Sequence, residues 1–434
     1  MLNLGDRLKN KKFLVYGFGR TGKSCFNYLK KNNKIFIFDD NKKNISNRLL
    51  KTQFIEKSKI NDKNFDFIII SPGIDINKSS LKTYLKKYKD KIITDLDIFY
   101  LQNLPNLKIT ITGTNGKSTT AKLLFDILKK HKKDVRLLGN IGKPILSEKN
   151  IAYNTIFVIE ASSYQIEYSK FFKTDHGMIL NISPDHLERH GTIQNYVHAK
   201  FKLILKQNHN DYAYIDLSNK YLRKEVKKFN PNSKIINIQT NNLKNIKKFI
   251  KNPYFTNLNN LKNLLFIIAF GKIFKLDSKK IFNVVNNFKA LNFRQQIILN
   301  NDNLIIINDS KSTSFSSSLN LLKSYKNIFW LVGGMPKKGD VFTLPKKYYK
   351  NIKAYIFGKN ILFFKKIFSK KLFHQSFKNL ETGLKKIFFD INKENNKKIC
   401  ILFSPAAASF DQFKNFEDRG KYFNNLIKKI NDEY

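Results

Sequence analysis

Three times along the chain a short apolar run breaks off into a glycine or small-residue turn and then into a helix-like stretch. A buried strand handed to a helix through such a turn is the repeating unit of a parallel sheet, so the pattern restricts the chain to α/β architectures. The first segment opens with Phe13-Leu14-Val15-Tyr16, followed by Gly17-Phe18-Gly19-Arg20-Thr21-Gly22 and a helical stretch to about Lys30. Ile35-Phe36-Ile37-Phe38 then ends in Asp39-Asp40, and Phe67-Ile68-Ile69-Ile70 ends in Ser71-Pro72-Gly73. The second segment runs from Leu107 to Thr112 into Gly113-Thr114-Asn115-Gly116-Lys117-Ser118-Thr119, then into a helix with Ala121, Leu124 and Leu128 on one face. Its later strands, Ile156 to Ile159 and Met178 to Leu180, end at Glu160 and near Asp185-His186. The third starts around Leu291 and has the strand Leu304 to Ile307 running into Asn308-Asp309-Ser310-Lys311. Strands Ile328 to Val332 and Ala354 to Phe357 follow, and Ile401-Leu402-Phe403 runs into Ser404-Pro405-Ala406. A length of 434 residues leaves room for three domains, expected at 1–95, 96–290 and 291–434.

Composition narrows the function. Apolar residues make up 42% and charged residues 26%, the balance of a globular chain and not of a disordered one. No apolar run approaches the ~18 residues of a membrane span. The longest clear block is Leu264 to Phe270, and no hydrophobic signal region opens the chain, so a cytoplasmic location without membrane contact is expected. Cys25 and Cys400 form no CxxC or metal pattern, which fits a reducing compartment. Lys plus Arg outnumber Asp plus Glu by 80 to 33, a formal charge of +47. Such an excess prompts a nucleic-acid reading, but only eight of the 80 are arginines, the residue that groove and phosphate-fork recognition favours. The lysines are also spread along the whole chain among Asn, Ile and Phe, as at 30–34 and 241–252, a residue set that A- and T-only codons encode. Genome base composition, more than partner choice, is expected to set the charge. No nucleic-acid partner is expected, and a positive surface favours anionic substrates.

Two glycine loops compete for one nucleotide. The strict phosphate-loop pattern GxxxxGK[ST] occurs once, at Gly17 to Ser24, and the same residues satisfy GxGxxG, with Asp39 about 20 residues on. In either reading, backbone N–H groups at a helix N-terminus favour an anion; the bland alternative is a tight turn without a ligand. The loop at 113–119 fails the strict pattern yet has what a triphosphate needs. Gly113 and Gly116 let the backbone approach, Lys117 carries charge to the β/γ end, and Ser118 or Thr119 offers a hydroxyl to Mg²⁺. Glu160, closing a later strand, is placed like a Walker B carboxylate. ATP is accordingly assigned to 113–119. The fold expected is α/β, with a Rossmann-like first domain, a central P-loop-type ATPase domain of mostly parallel sheet, and a Rossmann-like C-terminal domain.

The segment Thr112 to Thr119 resembles the nucleotide loop of the Mur ligases, the ATP-dependent amide ligases of peptidoglycan synthesis; folylpolyglutamate synthases share related features. Gly139-Asn140-Ile141-Gly142, Glu160-Ala161-Ser162-Ser163-Tyr164-Gln165 and Asn181-Ile182-Ser183-Pro184-Asp185-His186 are similar to further motifs of that family. The tail from Ser404-Pro405-Ala406-Ala407-Ala408-Ser409 through Phe410-Asp411-Gln412-Phe413-Lys414-Asn415 to Phe416-Glu417-Asp418-Arg419-Gly420 resembles that of the member that adds D-glutamate. It speaks against the alternatives of another Mur ligase or a folylpolyglutamate-type synthase; a basic nucleic-acid-binding NTPase is the distant alternative. The likeness covers essentially the whole chain.

The resemblance implies a monomer that joins the carboxylate of UDP-N-acetylmuramoyl-L-alanine to the amine of D-glutamate through an acyl phosphate, with ATP and two Mg²⁺ ions. It implies that Lys117 holds the β/γ-phosphates within a loop of Gly113, Thr114, Asn115, Gly116, Ser118 and Thr119. It makes Ser118 or Thr119, Glu160, His186 and Lys200 metal ligands, the last as a carbamylated lysine. Taken alone, Lys200 would be one more exposed helix lysine. Asn260 and Asn263 match nucleotide-contacting asparagines, although Asn259 stands where the family usually has a histidine. Arg294 matches an arginine that reaches ATP phosphate, with Phe293 in place of a frequent histidine, and Asp309 falls on the ribose side. Lys311 and Thr313 are implied to face the incoming amino acid and the acyl phosphate, and Ser409 and Phe416 to bind its carboxylate. Lys337 is the further carboxylate contact, but Met335-Pro336 departs from the family's Gly-Gly-Asp context and leaves Lys338 as an alternative. In the first domain Arg20, Thr21, Asp39, Ser71 and Gly73 are implied to line the uridine diphosphate; Asn140, in the second, is implied to touch the muramoyl substrate or its metal environment. Lys23 reads as one more lysine of a lysine-rich chain.

Overall fold

The computed structural model describes residues 7–41, 53–61, 63–103, 105–337, 339–393 and 398–433. Among them the strands form three sheets. The first is β1 (Lys12–Tyr16), β2 (Lys34–Phe38), β3 (Phe67–Ile70) and β4 (Ile92–Ile93), parallel in the order β2-β1-β3-β4. The second is β5 (Lys108–Thr112), β6 (Val135–Gly139), β7 (Ile156–Glu160), β8 (His176–Ile179), β9 (Tyr212–Ile215) and β10 (Lys234–Asn237). Its order is β10-β9-β8-β5-β7-β6, again parallel throughout. The third is β11 (Gln296–Asn300), β12 (Leu304–Asn308), β13 (Ile328–Gly333), β14 (Ile352–Phe357), β15 (Phe373–Phe377) and β16 (Ile399–Phe403). Its order is β11-β12-β16-β13-β14-β15, parallel except that β11 runs antiparallel to β12.

These orders place the sites. The winding reverses at β1 in the first sheet and at β5 in the second, and in the third β16 returns between β12 and β13. Ligands of open parallel sheets bind beyond the carboxyl ends of strands at such switch points, where adjacent loops diverge. The turns that follow these strands are the ones singled out in the sequence: 17–22, 113–119, and together 309–314, 333–337 and 404–409.

The chain forms two compact units. The first holds Met1–Ile182, Arg189–Asn242 and Asn263–Val284, and with them the first two sheets. Val15, Phe26, Ile37 and Ile93 share one buried apolar cluster with Phe99, Leu138, Phe157 and Ile159, which is why these two sheets pack as one body. Asp97 reinforces the join. Wholly buried, it accepts hydrogen bonds from the Thr94 and Ser169 hydroxyls and from the backbone N–H groups of Thr94, Lys170, Phe171 and Phe172 at 2.7–3.1 Å, so its charge is fully partnered. The second unit holds Ser183–Glu188, Leu243–Lys262 and Val285–Tyr434. Trp330, Phe315 and Phe368 pack on one face of its sheet, Phe403, Phe423 and Tyr355 on the other. Residues 183–188 and 243–262, from the middle of the chain, thus cluster with the third sheet. The apolar block Leu264 to Phe270 lies within the helix Leu258–Ile273, and no described helix is long and apolar enough to cross a membrane.

Candidate active site

Where each helix begins separates the two glycine loops. After β5 the helix Lys117–Lys130 starts at Lys117 itself, so 113–116 form an open loop with the lysine at its rim. Gly116 sits at φ +83°, and a Cβ there would lie 2.0 Å from Asn263 Nδ2, so only glycine fits. Asn181, just past β8, clamps the loop. Its carbonyl accepts from the Thr114 N–H at 2.9 Å, its Oδ1 accepts from the Asn115 N–H at 2.8 Å, and its Nδ2 donates to the Asn115 carbonyl at 2.9 Å. The Lys117 ammonium donates to the Gly113 and Thr114 carbonyls, each at 2.9 Å. Ser118 and Thr119 are buried in the first helical turn, where the free N–H groups favour phosphate.

The loop after β1 is built differently. Its helix starts at Arg20, so Lys23 and Ser24 lie inside the helix, past the N–H groups that could cradle a triphosphate. The Lys23 ammonium rests 5.9 Å from the Phe18 ring centroid. Gly17 has φ +89°, the Ser71 hydroxyl donates to its carbonyl at 2.7 Å, and a Cβ on Gly22 would fall 2.0 Å from the same oxygen. Asp39 accepts from the backbone N–H groups of Phe18 at 2.6 Å and Asn41 at 2.8 Å, fixing the end of β2 against this turn. Arg20 is exposed and Thr21 half-buried at the helix start, while Ser71 and Gly73 follow β3. The five residues assigned to uridine diphosphate therefore share one sheet end.

Glu160 ends β7 beside β5, pairing in register with Ile111. It is 3% exposed, and its Oε2 is buried without a hydrogen-bond partner among the described residues. A shielded carboxylate oxygen of this kind is costly unless a cation takes it. The site therefore fits Mg²⁺, which draws its other ligands from phosphate and water. Among the described residues no three His, Cys, Asp or Glu side chains converge on a metal position by themselves. Asn140 donates its backbone N–H to the Glu160 carbonyl at 3.1 Å. Lys200, on the helix Ile193–Leu205, is 2% exposed, with Nζ 3.4 Å from the Thr112 hydroxyl and 4.8 Å from the Tyr196 ring centroid. The exposure expected of an ordinary helix lysine does not hold here, because the Lys200 side chain turns inward to the end of β5.

The remaining assigned residues divide between the units. Asn263 lies against Gly116 in the first. Asn260, one turn earlier on the same helix, is in the second and donates to the Tyr254 carbonyl and the Gln295 side chain, each at 2.9 Å. His186 is also in the second, at φ +56°, with Asp185 3.4 Å and Glu188 3.6 Å from its ring nitrogens. Lys337 makes a 2.9 Å ion pair with Asp185; Lys338 lies outside the described residues. Phe416 opens the helix Phe416–Glu433, with the Lys311 ammonium 4.0 Å and the Arg294 guanidinium 6.0 Å from its ring centroid. Asp309 is buried, accepting from the Gln295 N–H at 3.1 Å and the Ser404 hydroxyl at 2.9 Å; burial pushes its carboxyl up to about 7. Thr313 is half-buried and Ser409 buried.

Residues 111–292 match the Mur ligase middle domain and 11–93 the Mur ligase MurD-like N-terminal domain. The UDP-N-acetylmuramoylalanine–D-glutamate ligase of Rickettsia prowazekii (strain Madrid E) is 33% identical over 442 residues, covering 97% of this chain and 98% of that protein. The chain belongs to the Mur ligase family. An enzyme of the same name from Wolbachia sp. subsp. Brugia malayi (strain TRS) is 32% identical, covering 99% of this chain and 98% of its own. The UDP-N-acetylmuramate-alanine ligase of Thermotoga maritima superposes with a TM-score of 0.58 at 16% identity, covering 98% of this chain and all of that one, 100%. The MurF ligase of Thermotoga maritima in complex with ADP gives 0.55 at 16%, covering 86% and 91%. At such identities these two likenesses are of fold.

In this Mur ligase, sequence reasoning gave no role to Asp340, nor to Asn181 and Arg419 within the motifs that contain them. Arg419 is wholly buried; its Nε donates to the Ser310 hydroxyl at 3.1 Å and its Nη2 to the Ser310 carbonyl at 2.7 Å, while Nη1 is buried without a partner. Burial lowers its pKa to about 10, which leaves it a cation at neutral pH. Asp340 accepts the Phe315 N–H at 2.7 Å and lines a pocket with Asp185, His186, Ser314 and Lys337; burial raises its carboxyl to about 6. Being one of only eight arginines was the available signal for Arg419. Asp340 had none, because its partner is 25 residues away in sequence.

Proposed function

We propose that this chain is the ATP-dependent ligase that joins D-glutamate to UDP-N-acetylmuramoyl-L-alanine in peptidoglycan precursor synthesis. The observation that carries the reading is the 33% identity sustained over 97% of the chain to a ligase of that name. A carboxylate is a poor electrophile. Its oxygen attacks the γ-phosphorus, ADP departs, and the resulting acyl phosphate is attacked by the neutral amine of D-glutamate; phosphate leaves and the nitrogen loses one proton, keeping the other as the amide N–H. The protein's share is positioning and electrostatics. Lys117 and the N–H groups of 113–119 take the triphosphate, with Asn263 against the loop. Ser118 or Thr119, Glu160, His186 and a carbamylated Lys200 would hold two Mg²⁺ ions, which would supply neutralising charge. Arg294 and Asp309 complete the nucleotide site with Asn260. Arg20, Thr21, Asp39, Ser71 and Gly73 hold the uridine diphosphate and Asn140 the muramoyl part. Lys311, Thr313, Lys337, Ser409 and Phe416 serve D-glutamate. Functional domains at 1–95, 96–290 and 291–434, a monomer and a cytoplasmic location belong to the same reading.

The test is phosphate release and product mass from purified protein with ATP, Mg²⁺, UDP-N-acetylmuramoyl-L-alanine and single amino acids. Release with D-glutamate, and a product heavier by one glutamyl residue, is expected. Release with L-lysine or meso-diaminopimelate but not with D-glutamate overturns the reading.

A further inference from the structure

The segment after β12 is anchored at every second residue. Asn308 Nδ2 donates to the Gly420 carbonyl at 2.9 Å and to Asn424 Oδ1 at 2.7 Å. The Ser310 hydroxyl donates to the Phe416 carbonyl at 2.9 Å and accepts from Arg419. Ser312 and Ser314, 3% and 6% exposed, enter a cluster of hydroxyls. Between these anchors Lys311 is exposed and Thr313 half-buried, so they are the side chains the segment presents. The hydroxyl cluster is continuous. The Ser404 hydroxyl donates to Asp309 Oδ2 at 2.9 Å; Ser318 Oγ lies 2.8 Å from Ser404 Oγ; Ser312 Oγ lies 2.7 Å from both Ser318 and Ser317; and Ser317 Oγ accepts the Ser314 N–H at 3.2 Å.

A hydroxyl has one proton to give. Ser404 spends its proton on the Asp309 carboxylate, so Ser318 donates to Ser404 and Ser312 donates to Ser318. The direction of the chain is therefore set at its Asp309 end, and each bond polarises the next. The Ser317 hydroxyl spends its own proton on the Ser314 carbonyl at 2.6 Å, so the ordered chain ends at Ser312, two residues before Ser314, which caps the helix Phe315–Ser324 and lines the pocket that holds Asp185, Lys337 and Asp340. Ser318 and Ser404 are both wholly buried, which marks their role as internal.

We propose that Ser318 and Ser404 are positioning residues for D-glutamate: their hydroxyls tie Asp309 to Ser312 and so hold Lys311, between the two, and Thr313, the next residue, in register with the amino-acid pocket. The inference rests on the ligase reading above and adds to it how the amino-acid side is kept in place. Loss of either hydroxyl breaks the chain between its two ends, and the effect falls on amino-acid recognition more than on the fold.

The test is steady-state kinetics of the full chain with D-glutamate varied and ATP and UDP-N-acetylmuramoyl-L-alanine saturating, for wild type, Ser318→Ala, Ser404→Ala, the double variant and Leu322→Ala. Leu322 is wholly buried on the same helix but outside the hydroxyl chain, so it reports what destabilisation alone does. The KM for D-glutamate is expected to rise about fivefold or more in each serine variant, the equivalent of one lost hydrogen bond. The double variant should rise no further than the larger single, because the two act through one chain. Leu322→Ala should lower the melting temperature with KM unchanged. Serine variants whose KM stays at the wild-type value, or a Leu322→Ala variant whose KM rises as much as theirs for the same loss of melting temperature, overturn the proposal. If Ser318→Ala fails to fold, Ser404→Ala decides by the same criterion. Wild-type protein without D-glutamate-dependent phosphate release overturns the ligase reading itself, an outcome separate from a wild type that is active beside serine variants of normal KM.

Discussion

Asp309 shows how one residue carries both a cost and a function. Its carboxyl is pushed up to about 7 by burial, against the lowering effect of Ser404, the Gln295 N–H, Arg294 and Arg419. A folded pKa above the ordinary value means that the native state holds its proton more tightly than the unfolded chain. Stability is therefore lost as pH rises from about 4 to about 7 and is level above that. Asp309→Asn removes the charge; its one oxygen can accept from the Gln295 N–H, and the Ser404 hydroxyl, free to rotate, can accept from the new NH2. Its melting temperature relative to wild type should increase between pH 5 and pH 7.5, by the equivalent of at least about 1 kcal/mol. A difference independent of pH would mean that Asp309 titrates normally. Lys117 makes the complementary case. Lys117→Ala should reduce turnover by at least about a hundredfold while leaving affinity for UDP-N-acetylmuramoyl-L-alanine within about threefold, measured by calorimetry; equal loss of both in a folded variant would mean that the roles of the two loops are wrongly divided.

At the scale of elements, the decisive feature is the point at which a strand becomes a helix. The literal phosphate-loop spelling at Gly17 to Ser24 is spent on a turn whose helix has begun by Arg20, whereas the shorter loop at 113–116 leaves Lys117 at the helix start. Gly116→Ala should cost ATP affinity at least about tenfold and stability at least about 1 kcal/mol, because the added Cβ meets Asn263 and φ is positive. Nucleotide titration and denaturant unfolding check the two separately. Most of this was legible in the sequence. Apolar runs such as Phe67–Ile70 fall where the strands are, and glycines mark the switch-point turns. Less legible were β10, whose Lys234–Asn237 is amphipathic and partly exposed, and the antiparallel edge strand β11. The clamp by Asn181, the cap from Asp340 and the Arg419 anchor depend on partners far away in sequence, which no local pattern encodes.

The whole molecule carries a formal charge of +47 on 434 residues, and each of its assigned substrates is an anion. A positive surface accelerates encounter with such ligands and salt screens it. The kcat/KM for UDP-N-acetylmuramoyl-L-alanine should therefore fall about threefold or more between 50 and 300 mM salt at fixed free Mg²⁺, with kcat nearly constant; a flat profile would assign the charge no part in capture. The largest claim concerns which turn receives the nucleotide, since every other role is arranged around it. A crystal structure of the protein with ADP and Mg²⁺ tests it directly. The account predicts the phosphates against the backbone N–H groups of 113–119, with Lys117 turned from the loop carbonyls towards the β-phosphate; nucleotide bound at 17–24, with the later loop unchanged, would contradict it.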